Sequence, residues 1–230
     1  MIQTNIRRIK QHITTVCAQA KRNSDDITLV AVSKTRTIVE ITQALAAGIT
    51  AFGENRVQEA LLKYRALQAL HTQLPRFQWH MVGHLQTNKV KDAVLMFDLI
   101  HSVDSLHLAQ TIDKQASVIG KRQRILIEVK TSPEPTKHGV APEEAVSLVS
   151  HIQSMEHVKV EGLMTISPLG GDTEVVRECF RTLRELQQRL GEELSTQSFP
   201  VLSMGMSDDY VIALEEGSTM LRIGRALFEG

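Results

Sequence analysis

From residue 28 onward the chain alternates short apolar runs with longer stretches whose apolar residues recur at helical spacing. The strand-like runs cover 28–32, 51–53, 77–82, 98–101, 124–129, 158–164, 200–204 and 219–223, eight in all. Between them, a segment such as the one carrying Val176, Cys179, Phe180, Leu183, Leu186 and Leu190 keeps a single apolar face. Strands separated by helices are joined by crossovers and so run parallel. Closing eight such units gives a (β/α)8 TIM barrel, and 230 residues lie within its usual range. An open doubly wound sheet would want a glycine-rich turn after the first strand, where this chain has SKTRT. The expectation is therefore an α/β fold, one (β/α)8 barrel domain over 1–230. Ile2, Ile6, Ile9, Ile13 and Val16, with Arg7, Arg8 and Lys10 between them, predict an extra amphipathic helix ahead of the first strand. Gly48, Gly120, Gly191 and Gly217 are expected to close helices, and Pro142 to open one.

Charge excludes some partners. With 26 basic and 26 acidic residues, the chain has no cationic excess to attract nucleic acid or an anionic membrane. No apolar run approaches spanning length, and the N-terminus lacks the apolar core of a signal peptide, so a cytoplasmic protein is expected. Cys17 and Cys179 fall on apolar helix faces and are read as buried free thiols.

Parallel barrel strands deliver the residues beyond their C-terminal ends to one mouth, where active sites are built. Those residues are Ser33 and Lys34 after the first run, Glu54 and Asn55 after the second, and His80, Met81 and Gly83 at the third. His101 and Asp104, Lys130, Met164 and Thr165, SMGMSDD and RIGR follow in order. Loops after strands seven and eight, with a short helix between them, make a recurrent phosphate site. Ser203, Gly205, Ser207 and Gly224 sit there, although Ser207 also reads as a helix cap and Gly224 as a turn residue. Asp208 and Asp209 would repel an anion unless they point outward.

Lys34 ends an apolar strand. It is either a rim lysine or an amine for imine chemistry on a phosphorylated aldehyde or ketone, and the second role wants a desolvated, neutral amine with Arg222 as its cationic neighbour. His80 and His84 are four apart but straddle a strand end with no third ligand nearby, so they read as loop histidines and no metal site is expected. Lys130 and Lys137 are further amines near the mouth, either able to hold a second ligand molecule transiently.

The segments AVSKT, FGENRVQE, WHMVGHLQTNK, GLMTI, SMGMSDDY and GSTMLRIGRALFEG run in order from residue 31 to the C-terminus. Together they resemble the YggS/PROSC family of pyridoxal-phosphate-binding homeostasis proteins. The resemblance implies a barrel like the N-terminal domain of alanine racemase, with pyridoxal 5′-phosphate as an internal aldimine on Lys34. It also implies Arg222 at the pyridine nitrogen, Ser203, Gly205, Ser207 and Gly224 at the phosphate, and Asn55, Met81 and Met164 near the ring.

A guanidinium cannot take the ring nitrogen's proton, so the electron sink is weaker than one built on an aspartate. Tyr210 is read as a packing residue, and no second domain is expected to supply another base. These points imply a monomeric cofactor carrier or buffer without robust catalysis, able to load apo enzymes that need pyridoxal phosphate. A racemase-like enzyme and a Schiff-base aldolase are the alternatives.

Overall fold

The computed structural model describes residues 1–70, 74–132, 134, 138–168, 170–194 and 199–229. Eight parallel strands close on themselves: β1 (Thr28–Val32), β2 (Ala51–Glu54), β3 (Gln78–Met81), β4 (Leu99–Val103), β5 (Gln123–Glu128), β6 (Val158–Met164), β7 (Val201–Ser203) and β8 (Met220–Ile223). Sequence neighbours pair throughout, and β8 returns to β1 with Val30 opposite Arg222. All eight expected strands are present, β1 and β6 with the expected bounds and the others shifted by one or two residues.

Alternation along each strand divides the core in two. Val30, Ala51, Leu99, Leu126, Met164 and Met220 fill the barrel interior. Residues of opposite parity, such as Ala31, Phe52, Met81 and Leu163, join the larger core under the helices. Those helices are α2 (Ile38–Ala46), α3 (Val57–Gln68), α4 (Val90–Met96), α5 (Leu106–Val118), α6 (Pro142–Gln153), α7 (Thr173–Glu193), α8 (Tyr210–Glu215) and α9 (Arg225–Phe228). They follow α1 (Ile2–Gln19), whose Ile2, Ile6, Ile9, Ile13 and Val16 are buried as the spacing predicts. No helix among the described residues is long and apolar enough to cross a membrane.

α1 is held against the last two helices. Arg22, just beyond it, donates to the carbonyls of Leu214 and Ser218, both at 2.7 Å, and so satisfies the C-terminal end of α8. His12 meets the Tyr210 hydroxyl at 2.5 Å, which turns Tyr210 outward to α1 and away from the mouth. Pro142 opens α6 as expected, and Gly48, Gly120 and Gly217 close helices with positive φ. Gly191 does not: α7 runs through it to Glu193, and the apolar stripe of Leu183, Leu186 and Leu190 is continued beyond it by the partly buried Leu194. Both cysteines are buried and free.

Candidate functional site

A cavity of about 400 Å³ opens at the C-terminal face between the ends of β1, β2, β6, β7 and β8. Lys34, Asn55, Ser207, Arg222 and Gly224 line it, so five of the nine candidate residues come together.

Lys34 stands on a braced loop. Lys63 of α3 reaches the Ser33 carbonyl at 2.6 Å and pairs with Glu54 at 2.9 Å and Glu59 at 2.7 Å. The Ser33 hydroxyl donates to Glu54 at 2.5 Å, and the Thr35 backbone N–H donates to Glu59, also at 2.5 Å. Ser33 and Glu54 are thus drawn outward beneath the helices and away from the mouth, and burial pushes the Glu54 carboxyl up. Thr35, with φ 62°, takes the left-handed backbone that a β-branched residue avoids. A strained residue over-determined by its neighbours is characteristic of sites where geometry has a function. The Lys34 side chain itself is exposed. The expected water-poor surroundings for this amine are therefore absent: it stands at the rim, beyond the last packed layer of the barrel.

Arg222 is the opposite case, a cation with 4% exposure at the cavity floor. It donates to the Ser203 carbonyl at 2.6 Å, the Ser203 hydroxyl at 2.8 Å and the Thr165 carbonyl at 2.8 Å. Burial brings its guanidinium down to about 10, still a cation at neutral pH. Behind it lies a buried polar seam. The Ser203 hydroxyl meets His101 Nδ1 at 2.9 Å, His101 Nε2 meets His80 Nδ1 at 3.1 Å, and His80 Nε2 meets Gln78 Oε1 at 3.0 Å. Arg222 can only donate, which orients every proton away from it and satisfies both imidazoles in their neutral form. Burial accordingly holds His80 down to about 3 and His101 well below its ordinary value.

Four expected site residues take other positions. Ser203 and Gly205 do not line the cavity; they hold Arg222, Ser203 by its side chain and carbonyl and Gly205 through its carbonyl, which accepts from the Arg222 N–H at 2.9 Å. Gly205, at φ +99°, also leaves room for α8, since an added Cβ would lie 2.6 Å from that of Ala213. Met164 packs inside the barrel, and Met81 faces the helices.

His80 is a barrel-interior residue, not the loop histidine expected, because its parity with Val82 points it inward. Lys130 follows β5 without lining the cavity, and Lys137 lies outside the described residues. Asp209 is turned inward, accepting from Ser167 and from the Met206 N–H. Asp208 is paired with Arg225 at the rim, and Glu229 with Arg36. Both neighbouring carboxylates are thus neutralised locally.

A phosphorylated ligand fits the donors that are there. At Gly224 an added Cβ would sit 3.2 Å from the Val32 carbonyl, so the backbone lies close under the β1 end that carries Lys34. The Ser207 hydroxyl accepts from the Ala226 N–H at 3.3 Å and keeps its own proton for an anion. Arg36, missed in the sequence, and Arg225, visible in RIGR but given no side-chain role, lie at the same rim, paired with Glu229 and Asp208. Their position after a strand was visible; their pairing across the mouth was not.

The family described as "Alanine racemase, N-terminal domain" matches residues 1–230. A Haemophilus influenzae protein named "Pyridoxal phosphate homeostasis protein" is 38% identical over 99% of this chain and 94% of its own. An Aquifex aeolicus protein of the same name is 43% identical over 97% and 95%. The structure of PipY from Synechococcus elongatus with PLP bound has a TM-score of 0.82 at 37% identity, covering 94% of this chain and 99% of that one. Alanine racemase of Clostridium difficile, at 18% identity and TM-score 0.74 over 97% of this chain and 56% of its own, shares the fold.

Proposed function

The chain belongs to the alanine racemase N-terminal-domain family, and from that premise we propose that it binds pyridoxal 5′-phosphate and acts in its homeostasis, holding and releasing it without robust catalysis. The observation that carries this reading is the joint presence of Lys34 and Arg222 on one cavity of ligand size. When bound, pyridoxal phosphate supplies an aldehyde that condenses with amines and a ring that accepts electrons. Lys34 supplies the amine from a braced loop. Arg222 presents N–H donors that neither give up nor take a proton at neutral pH, so a ring nitrogen facing it stays unprotonated. Ser207 and the Gly224 backbone hold the phosphate, with Arg36 and Arg225 at the rim shared with Glu229 and Asp208, and Asn55 bounds the ring. Ser203 and Gly205 act through Arg222, Met164 supports the floor, and Met81 has no contact with the cofactor.

The same lining supports the reading that turnover is not robust. Among the described residues of the cavity, Asp208 and Glu229 are the only carboxylates and both are ion-paired, so no poised acid or base accompanies Lys34. The barrel closes its own sheet, which leaves no edge strand to recruit a partner, in keeping with a monomer of one domain. An exposed lysine at an open rim suits release to apo enzymes within the cytoplasm.

Borohydride treatment of the loaded protein should fix the cofactor on Lys34, with Lys34→Ala losing all covalent capture while keeping weaker binding. Capture at another residue, or none at all, refutes the reading. Rapid exchange of an amino-acid α-proton with solvent deuterium would establish the racemase-like alternative. A trapped sugar phosphate would establish the aldolase.

A further inference from the structure

The loops after β3, β4 and β5 lie across the mouth from Lys34, and they bring together three side chains that the cofactor cavity does not use. We propose that His84, Asp104 and His138 form a site for a borderline divalent cation such as Zn²⁺ or Co²⁺, open to solvent on at least one side. One donor atom from each residue lies within 4.8 Å of the others. The two imidazoles stack with centroids 4.1 Å apart and planes 18° from parallel, and His84 Nδ1 is 3.9 Å from Asp104 Oδ2. Metal bonds of about 2.0–2.1 Å place tetrahedral donors roughly 3.4 Å apart. The cluster therefore needs to tighten by up to about 1.4 Å, through rotation of the two exposed histidines about the half-buried Asp104.

The backbone under both histidines is held in place. Gly83 precedes His84 and lies so close to β2 that an added Cβ would meet the Asn55 carbonyl at 2.4 Å. Gly139 follows His138 at φ +120°, where a Cβ would meet the Lys130 nitrogen at 2.6 Å. The chain beyond it re-enters the sheet through the Val129–Val140 bridge. Asp104 is the first residue after β4. Each donor is thus one residue from a backbone that cannot shift freely, and none belongs to a mobile side-chain tangle on a single helix.

Glu128, at the end of β5, is 5% exposed with its Oε2 free of hydrogen bonds, and it faces the charges of both Asp104 and Arg222. Two imidazoles and one carboxylate select Zn²⁺, Co²⁺, Ni²⁺ or Cu²⁺ over Mg²⁺ and Ca²⁺, which require oxygen donors. Three protein ligands leave a position for water. Because the histidines are exposed, the ion would exchange readily and would tie the three loops to one another while bound.

The test is Co²⁺ titration of chelator-treated, tag-free protein, read by equilibrium dialysis and by the visible d–d spectrum. One equivalent should bind with a spectrum of nitrogen and oxygen ligation. His84→Ala and His138→Ala should each weaken binding at least tenfold, and His151→Ala, which removes an exposed histidine on α6, should leave it unchanged. All three variants should melt with the parent in chelator, since the side chains are exposed. Absence of binding, binding that survives both mouth variants, or thiolate charge-transfer bands would overturn the proposal. Lys34→Ala should keep the site intact, so failure here and failure of the cofactor reading are separate results.

Discussion

The ends of β1 and β8 present two cations to one cavity and hold them by opposite means. At β1 the brace grips the backbone: Lys63, Glu54 and Glu59 fix the carbonyl of Ser33 and the N–H of Thr35 and leave the Lys34 ammonium exposed. At β8 the brace grips the head group, with two carbonyls and a hydroxyl around the Arg222 guanidinium and a neutral histidine seam behind it. A group that must form and break a covalent bond needs a free head on a fixed stem. A group that only recognises needs a fixed head, because reorganisation at the moment of binding costs affinity.

The largest effect should come from breaking the β1 brace. Lys63→Met leaves Glu54 buried with its cation removed, which should cost about 3–5 kcal/mol in urea unfolding at pH 7. It should also slow covalent capture at Lys34 by loosening Ser33 and Thr35. A stability loss with capture unchanged would show that the brace is structural only.

Acid should act mainly on the β8 side. His80 and His101 have folded pKa values below their unfolded ones, so the unfolded chain binds more protons between about pH 6.5 and 3. Their contribution is fully present above the unfolded value and is lost progressively as pH falls through that window. Urea midpoints at pH 7, 5.5 and 4 should therefore decline. His101→Leu should flatten this decline while losing about 2–4 kcal/mol at pH 7 through the unpaired Ser203 and His80.

Glu128 has the opposite sign. Burial, with the charge of Asp104, pushes it up to about 7, so its folded pKa exceeds the unfolded one. Stability tied to its neutral form is present below about pH 4.5 and lost as pH rises through about 7. Glu128→Gln should stabilise the protein at pH 8 by about 1–2 kcal/mol and change little at pH 4.5. The same gain at both pH values would mean that the effect is packing.

The smallest effect belongs to the rim. Asn55→Ala and Ser207→Ala remove polar groups from the cavity lining and should leave the urea midpoint within about 0.5 kcal/mol of the parent. Pyridoxal phosphate affinity should fall by about three- to tenfold for each, the cost of one hydrogen bond. A stability loss larger than the affinity loss would place these residues with the braces, not with the ligand.

Much of this was legible in the chain. The alternation of eight apolar runs with amphipathic stretches specifies a closed parallel barrel, because short strands buried on both faces and joined by helices have few other ways to cover themselves. A parallel barrel in turn sends Lys34, Asn55, Ser207, Arg222 and Gly224 to one mouth. Alternation within β3 and β4 also carried the signal that His80 and His101 point inward, had it been read against Val82 and Leu99. Gly191 reads as a helix end but does not act as one, because the apolar stripe through Leu186 and Leu190 is continued by the partly buried Leu194 beyond it.

The fate of the remaining polar residues needed the tertiary structure. Ser203 and Gly205 precede the mouth by one layer, and only the register of β8 against β1 and β7 shows that they grip Arg222 instead of a ligand. Glu54 and Ser33 read as mouth residues until Lys63, supplied by the following helix, draws them outward. His84, Asp104 and His138 come from three loops, and their approach depends on how closely Gly83 and Gly139 let the backbone lie on neighbouring strands. Local sequence sets periodicity and therefore which elements form, whereas pairing between polar groups distant in sequence is a property of distances that exist only after the barrel has closed.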